Sequence, residues 1–143
     1  KSKVQFKYGK GIVALWNGFT KVGKTGGEDT PEDQRFPLLI SSFTIEEHPD
    51  DPKAKGKRVS KSFMLAPSKE NPEEPGFGWG QLNDLHKAVL GTKLEAESEA
   101  DLIAAVEAMD AEAGNVGVSL TISENKNNPE YPNVYVKGLR SNK

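Results

Sequence analysis

The chain has 143 residues, 35% hydrophobic and 28% charged, with a formal net charge of -2 and no cysteine. That length fits one domain burying roughly two-thirds of its unfolded surface, and the lack of cysteine excludes disulfides, thiolate metal sites and cysteine nucleophiles together. No apolar run reaches the ~18–20 residues of a membrane span and no apolar leader opens the chain, so we expect a cytoplasmic protein with no membrane partner.

Between Lys1 and Gly27 lie six lysines and no acidic residue. Val4, Phe6 and Tyr8 alternate there with Lys3, Gln5 and Lys7, the period of a strand with one covered and one basic face. Gly9-Lys10-Gly11 then reads as a turn and Gly11 to Trp16 as a second strand, so a hairpin is expected at the start. Trp16 is either a stacking platform or an ordinary core residue. Residues 21–34 have the glycine and proline content of a flexible loop.

Phe36 to Glu47 gives a long strand signal, with Pro37 near its start because proline cannot donate to a ladder. Residues 49–57 read as the charged tip of a hairpin whose return strand is Arg58 to Leu65. From Lys53 to Lys69 there are five lysines, one arginine and no acid. Lys57, Val59, Lys61 and Phe63 alternate onto one side, so either a bulge shifts the register or that face is open and basic. Lysine-rich edges also occur simply to discourage strand-to-strand aggregation. Residues 67–78, with three prolines, are expected to be irregular.

Leu82, Leu85, His86 and Val89 recur at the spacing of an amphipathic helix ending near Gly91. Trp79 at its entrance reads as core or staple. Ser98 followed by Asp101 resembles a capping box before a second helix with Leu102, Ile103, Val106 and Met109 on one face and Gly114 as its stop. The acids at 97, 99 and 101 suit the positive end of that helix dipole. Val116, Val118, Leu120 and Ile122 mark a half-buried strand, Asn125 to Pro132 a polar turn, and the last strand sets Val134 and Val136 opposite Asn133, Tyr135 and Lys137.

This order gives a mainly β fold with two helices in a single domain, residues 1–143. We expect an antiparallel, five-to-six-stranded barrel like the oligonucleotide-binding fold, with a helical insertion before the last two strands. The alternative is an antiparallel sheet with both helices packed on one side.

Basic and aromatic residues on strands suit single-stranded nucleic acid, because cations track phosphates while rings stack on unpaired bases. The leading candidates are Tyr135 and Lys137, on one strand face; the competing role for Tyr135 is packing against a neighbouring strand or loop. Lys57, Arg58 and Lys61 form a second group, Lys3, Lys7 and Trp16 a third, and Arg140 follows the last strand. Catalytic supply is thin. His48 near Glu46, Glu47, Asp50 and Asp51 suggests a carboxylate-rich metal site, but neither EF-hand nor HExxH spacing is present. His86 belongs to the apolar helix stripe. Gly18 and Gly23-Lys24-Thr25 have the spacing of a phosphate loop, but no helix follows them, so that reading is rejected. We therefore expect a non-catalytic protein with no metal or cofactor.

The segment Gly114-Asn115-Val116-Gly117-Val118-Ser119-Leu120-Thr121-Ile122, then Asn-Lys-Asn-Asn, then Tyr131-Pro132-Asn133-Val134-Tyr135-Val136-Lys137, resembles bacteriophage single-stranded-DNA-binding proteins of the oligonucleotide-binding fold. The helical stretch Gly80 to Leu90 is similar in placement. The likeness is one of pattern, not of a diagnostic motif. It implies sequence-independent binding and protection of single-stranded DNA during phage replication or recombination, with replication or recombination proteins or a second copy as further partners. Many of that group end in an acidic tail, a composition that Arg140-Ser141-Asn142-Lys143 does not have. Two other classes stay open: a protein-interaction or virion structural module, expected to expose an apolar patch, and a small metal-dependent nuclease using Glu46, Glu47, Asp50 or Asp51.

Overall fold

In chain order the elements are β1 (Gly9–Lys24), β2 (Pro37–Glu47), β3 (Arg58–Met64), α1 (Phe77–Leu90), α2 (Glu99–Asp110), β4 (Gly117–Ser123) and β5 (Asn133–Leu139). The structure, a computed structural model, describes residues 7–26, 28–31, 35–67, 76–126 and 132–139. The strands pair antiparallel in one sheet of order β3-β2-β1-β4-β5. The fold is mainly β, with both helices inserted before the last two strands as expected.

Two expectations are corrected. The sheet is not a closed barrel, because no ladder joins its edge strands β3 and β5. Nor is Gly9-Lys10-Gly11 a hairpin turn: it lies inside β1, where Gly11 has φ of +68° and the register to β4 slips between Gly9 and Ile12. Glycine tolerates that φ where other residues resist it, so here it makes a bulge in one long strand. Three more register shifts against β2 follow, between Val13 and Ala14, Trp16 and Phe19, and Phe19 and Lys21. Bulges increase local twist and bend a strand, which suits a 16-residue strand serving two partners. The expected strand from Val4 falls largely in residues 1–6, outside the described residues.

Loop boundaries move as well. Lys21 to Lys24 belong to β1 and pair with Pro37 to Ile40, and α1 begins at Phe77, inside the stretch expected to be irregular. The β2–β3 connection contains a 3-10 turn, Pro52–Ala54, capped by Asp51, whose side chain accepts from the Lys53 N–H at 3.1 Å.

One face of the sheet builds the core. Ile12, Ala14 and Trp16 of β1 meet Leu39, Phe43 and Ile45 of β2, Phe63 of β3, Leu120 and Ile122 of β4 and Val134 and Val136 of β5. Leu82, Leu85 and Val89 of α1 and Leu102, Val106 and Met109 of α2 complete the same cluster. α1 packs chiefly on β5 and also reaches β3, while α2 rests on β1. Ser98 caps α2 by accepting from the Asp101 N–H at 3.2 Å, but the Asp101 carboxylate reaches back to the Glu97 N–H rather than to that of Ser98. At the other end of α2, Asp110 Oδ1 accepts from the Phe19 N–H of β1 at 2.9 Å. Among the described residues no helix is long and apolar enough to cross a membrane.

Candidate nucleic-acid interface

The β2–β3 ladder runs without a shift from Leu38↔Met64 to Thr44↔Arg58. Strand alternation therefore carries Lys61 onto the same face as Val59 and Phe63, and it is only 8% exposed. Neither expected solution holds: there is no bulge, and the face is not open. Instead the lysine is accommodated by neighbours. Its Nζ donates to Gln81 Oε1 of α1 at 2.9 Å and stands 5.3 Å from the centroid of Phe63 and 5.5 Å from that of Tyr135. Burial pushes the ammonium down to about 8 from its ordinary 10.5, and the negative charge of Asp84 partly opposes the shift.

Tyr135 is half-buried on β5. Exposed Lys137, two residues along the strand, brings its Nζ to 5.6 Å from the same ring. The ring thus has one ammonium from across the open seam and one from its own strand. Each such contact contributes about 0.5–2 kcal/mol, more as water is excluded.

A cleft of about 440 Å³ opens beside this ring, between α1 and β5; its lining includes Phe77, Gln81, Asp84, Tyr135 and Lys137. It continues along α1 past Lys87 toward Gly138. Phe77 is 75% exposed. Its position follows from close packing of the helix start: a Cβ on Gly78 would overlap the Met64 carbonyl oxygen, so α1 begins hard against the end of β3. The sequence pattern missed Phe77, Gln81 and Asp84. An aromatic residue between Gly76 and Gly78 was the available signal for the first.

Of the sequence candidates, the structure brings Lys61, Tyr135 and Lys137 together. Exposed Arg58 lies three residues from Lys61, about 10 Å along β3 and on the opposite face of the sheet, so it does not join this group. Half-buried Lys57 precedes it, its carbonyl accepting from the Ile45 N–H at 2.8 Å. Lys7 is exposed, but its backbone is tied to the β2–β3 tip: its N–H donates to Asp51 Oδ2 at 3.1 Å and its carbonyl accepts from His48 Nε2 at 2.7 Å. The Lys7 N–H bond also holds the Asp51 carboxyl below its ordinary value. Trp16 is a core residue and no stacking platform: it is fully buried, its indole N–H donates to Ser41 Oγ at 3.3 Å, and Phe19 packs edge-on at 5.5 Å. Lys3 and Arg140 lie outside the described residues.

The acidic neighbourhood of His48 has structural employment. The Asp50 N–H donates to His48 Nδ1 at 3.0 Å, so Nε2 carries the proton given to the Lys7 carbonyl. Among the described residues no three His, Cys, Asp or Glu side chains gather as a metal site. His86 is buried, its Nδ1 bonded to the Thr92 carbonyl at 2.6 Å just beyond the end of α1. Compared with models of protein families, with curated proteins and with solved structures, the chain matches none.

Proposed function

We propose that this protein binds single-stranded DNA without catalysing a reaction, along the groove between α1 and β5. The supporting observation is the Tyr135 ring with two lysine ammonium groups at 5.5 and 5.6 Å, on the rim of a cleft that also holds exposed Phe77. Exposed rings such as Phe77 stack on unpaired bases, contributing about 1–3 kcal/mol per base, while Lys137 and Lys87 are exposed to meet phosphates. Stacking and phosphate contacts carry little base identity, so most of the binding is tolerant of sequence. Protection of single strands in phage replication or recombination is the setting that the resemblance suggests.

The test is fluorescence anisotropy of labelled oligo-dT at two salt concentrations. Binding should weaken with salt, log K falling by about 0.7 per neutralised phosphate for each unit of log salt. No binding at low salt would overturn the proposal. Quenching of Trp16 is no readout of binding, because it is sealed in the core.

One observation favours a second reading, a protein-interaction module. Phe77 and Met64, 75% and 49% exposed, stand near each other because Gly78 abuts the Met64 backbone. On that reading Phe77→Ala leaves oligonucleotide affinity unchanged.

A further inference from the structure

The rings and lysines of the groove do not distinguish bases, but its α1 wall carries groups that do. Asp84 is the one carboxylate among the described residues lining the cleft. It is exposed and makes no hydrogen bond or ion pair among the described residues. In a groove for a polyanion such a group repels phosphates, but besides supporting the Lys61 charge it can accept hydrogen bonds from a base. Gln81 lies three residues earlier on the same helix face. Its carbonyl oxygen is occupied by Lys61 Nζ at 2.9 Å, which fixes the amide orientation and leaves its NH₂ as the donor.

We propose that this cleft holds one unstacked base and prefers guanine there. The inference rests on the single-strand reading above. Guanine places N1–H and N2–H side by side, matching the two oxygens of Asp84 as an arginine fork matches a carboxylate. Its O6 lies next to that pair and accepts from the Gln81 amide. Cytosine and adenine offer a single exocyclic amine, and thymine presents one ring N–H between two carbonyls that a carboxylate repels. The base would stack against Phe77, in a cleft whose 440 Å³ falls within the ordinary range of small-molecule sites. The preference is confined to one nucleotide, and the remainder of the strand is held without regard to sequence.

The experiment compares three short oligonucleotides: all-dT, the same with one central dG, and the same with one central inosine, which lacks the N2 amine. With the wild-type protein the dG oligonucleotide should bind about tenfold tighter than all-dT, the scale of one bidentate base contact. Inosine should lose most of that gain. In Asp84→Asn the dG oligonucleotide should lose its advantage over all-dT measured on the same variant. Equal binding of dG and dT oligonucleotides by the wild type, or a dG preference that survives Asp84→Asn, would overturn the guanine assignment and leave single-strand binding standing. Failure of all three to bind would overturn both.

Discussion

The Lys61 ammonium stands 5.5 Å from the Tyr135 ring centroid and so connects two edge strands, β3 and β5, that share no backbone ladder. Side chains can part at this seam without breaking a row of peptide hydrogen bonds. The arrangement also keeps a protonated lysine in a place where burial opposes its charge, a conflict expected where stability yields to function.

That conflict has a pH signature. Lys61 sits at about 8 in the folded chain against an ordinary 10.5, so its folded-state value is depressed. Below 8 both states are protonated and the folded state bears the penalty. Between 8 and 10.5 the unfolded chain holds more protons, so stability rises with pH. Lys61→Met should therefore be more stable than the wild type at pH 7, by up to about 3 kcal/mol on the scale of 1.4 kcal/mol per pKa unit. The gap should narrow as pH climbs toward 10.5. Urea midpoints across that range check it, and parallel curves would refute it.

Phe77→Ala should separate binding from folding. Its side chain is 75% exposed, so stability should stay within about 0.5 kcal/mol of the wild type. Oligo-dT binding should weaken by about 1–3 kcal/mol if the ring stacks on a base. Thermal melting and anisotropy, measured on the same preparation, decide between loss of a contact and loss of the fold.

Lys137→Ala should act on charge rather than on shape. The side chain is exposed and its contact is with the face of Tyr135. We expect weaker binding to every sequence alike and a salt slope reduced by about 0.7. An unchanged slope would remove Lys137 from the phosphate path.

Gly78→Ala should disturb the groove from below. The added methyl meets the Met64 carbonyl oxygen, which belongs to a paired strand and cannot step aside alone. Overpacking of this kind costs about 1–3 kcal/mol, and the start of α1 should shift away from β3. A denaturation midpoint equal to that of the wild type would show that the helix start is not held there.

Much of this fold was legible because its signals are local. The alternation Val118, Leu120, Ile122 and the helical spacing Leu82, Leu85, Val89 each describe burial on their own element, and the structure buries them all. Parity also had the answer for Trp16, which falls in step with Ile12 and Ala14 on the inward face. Gly11 was ambiguous for a physical reason: the same conformational freedom makes a turn or a bulge, and only the β4 register separates them. Lys61 stands out of place among core residues in the sequence, but its partners Gln81 and Tyr135 lie 20 and 74 positions away, and no local period reports such a meeting. Phe77 was hidden by the proline- and glycine-rich composition around it. Its exposure follows from the close approach of Gly78 to Met64, a tertiary fact.

The Asp110 carboxylate at the Phe19 amide has a consequence for the protein in concentrated solution. An unsatisfied strand N–H is an invitation to a strand from a neighbouring molecule, and long strands that outrun their partners are prone to accept it. β1 extends past its last β4 pair at Leu15, and its far end is paired to β2. By filling the Phe19 donor from within the same chain, the last residue of α2 denies one foothold for self-assembly at that end of the sheet.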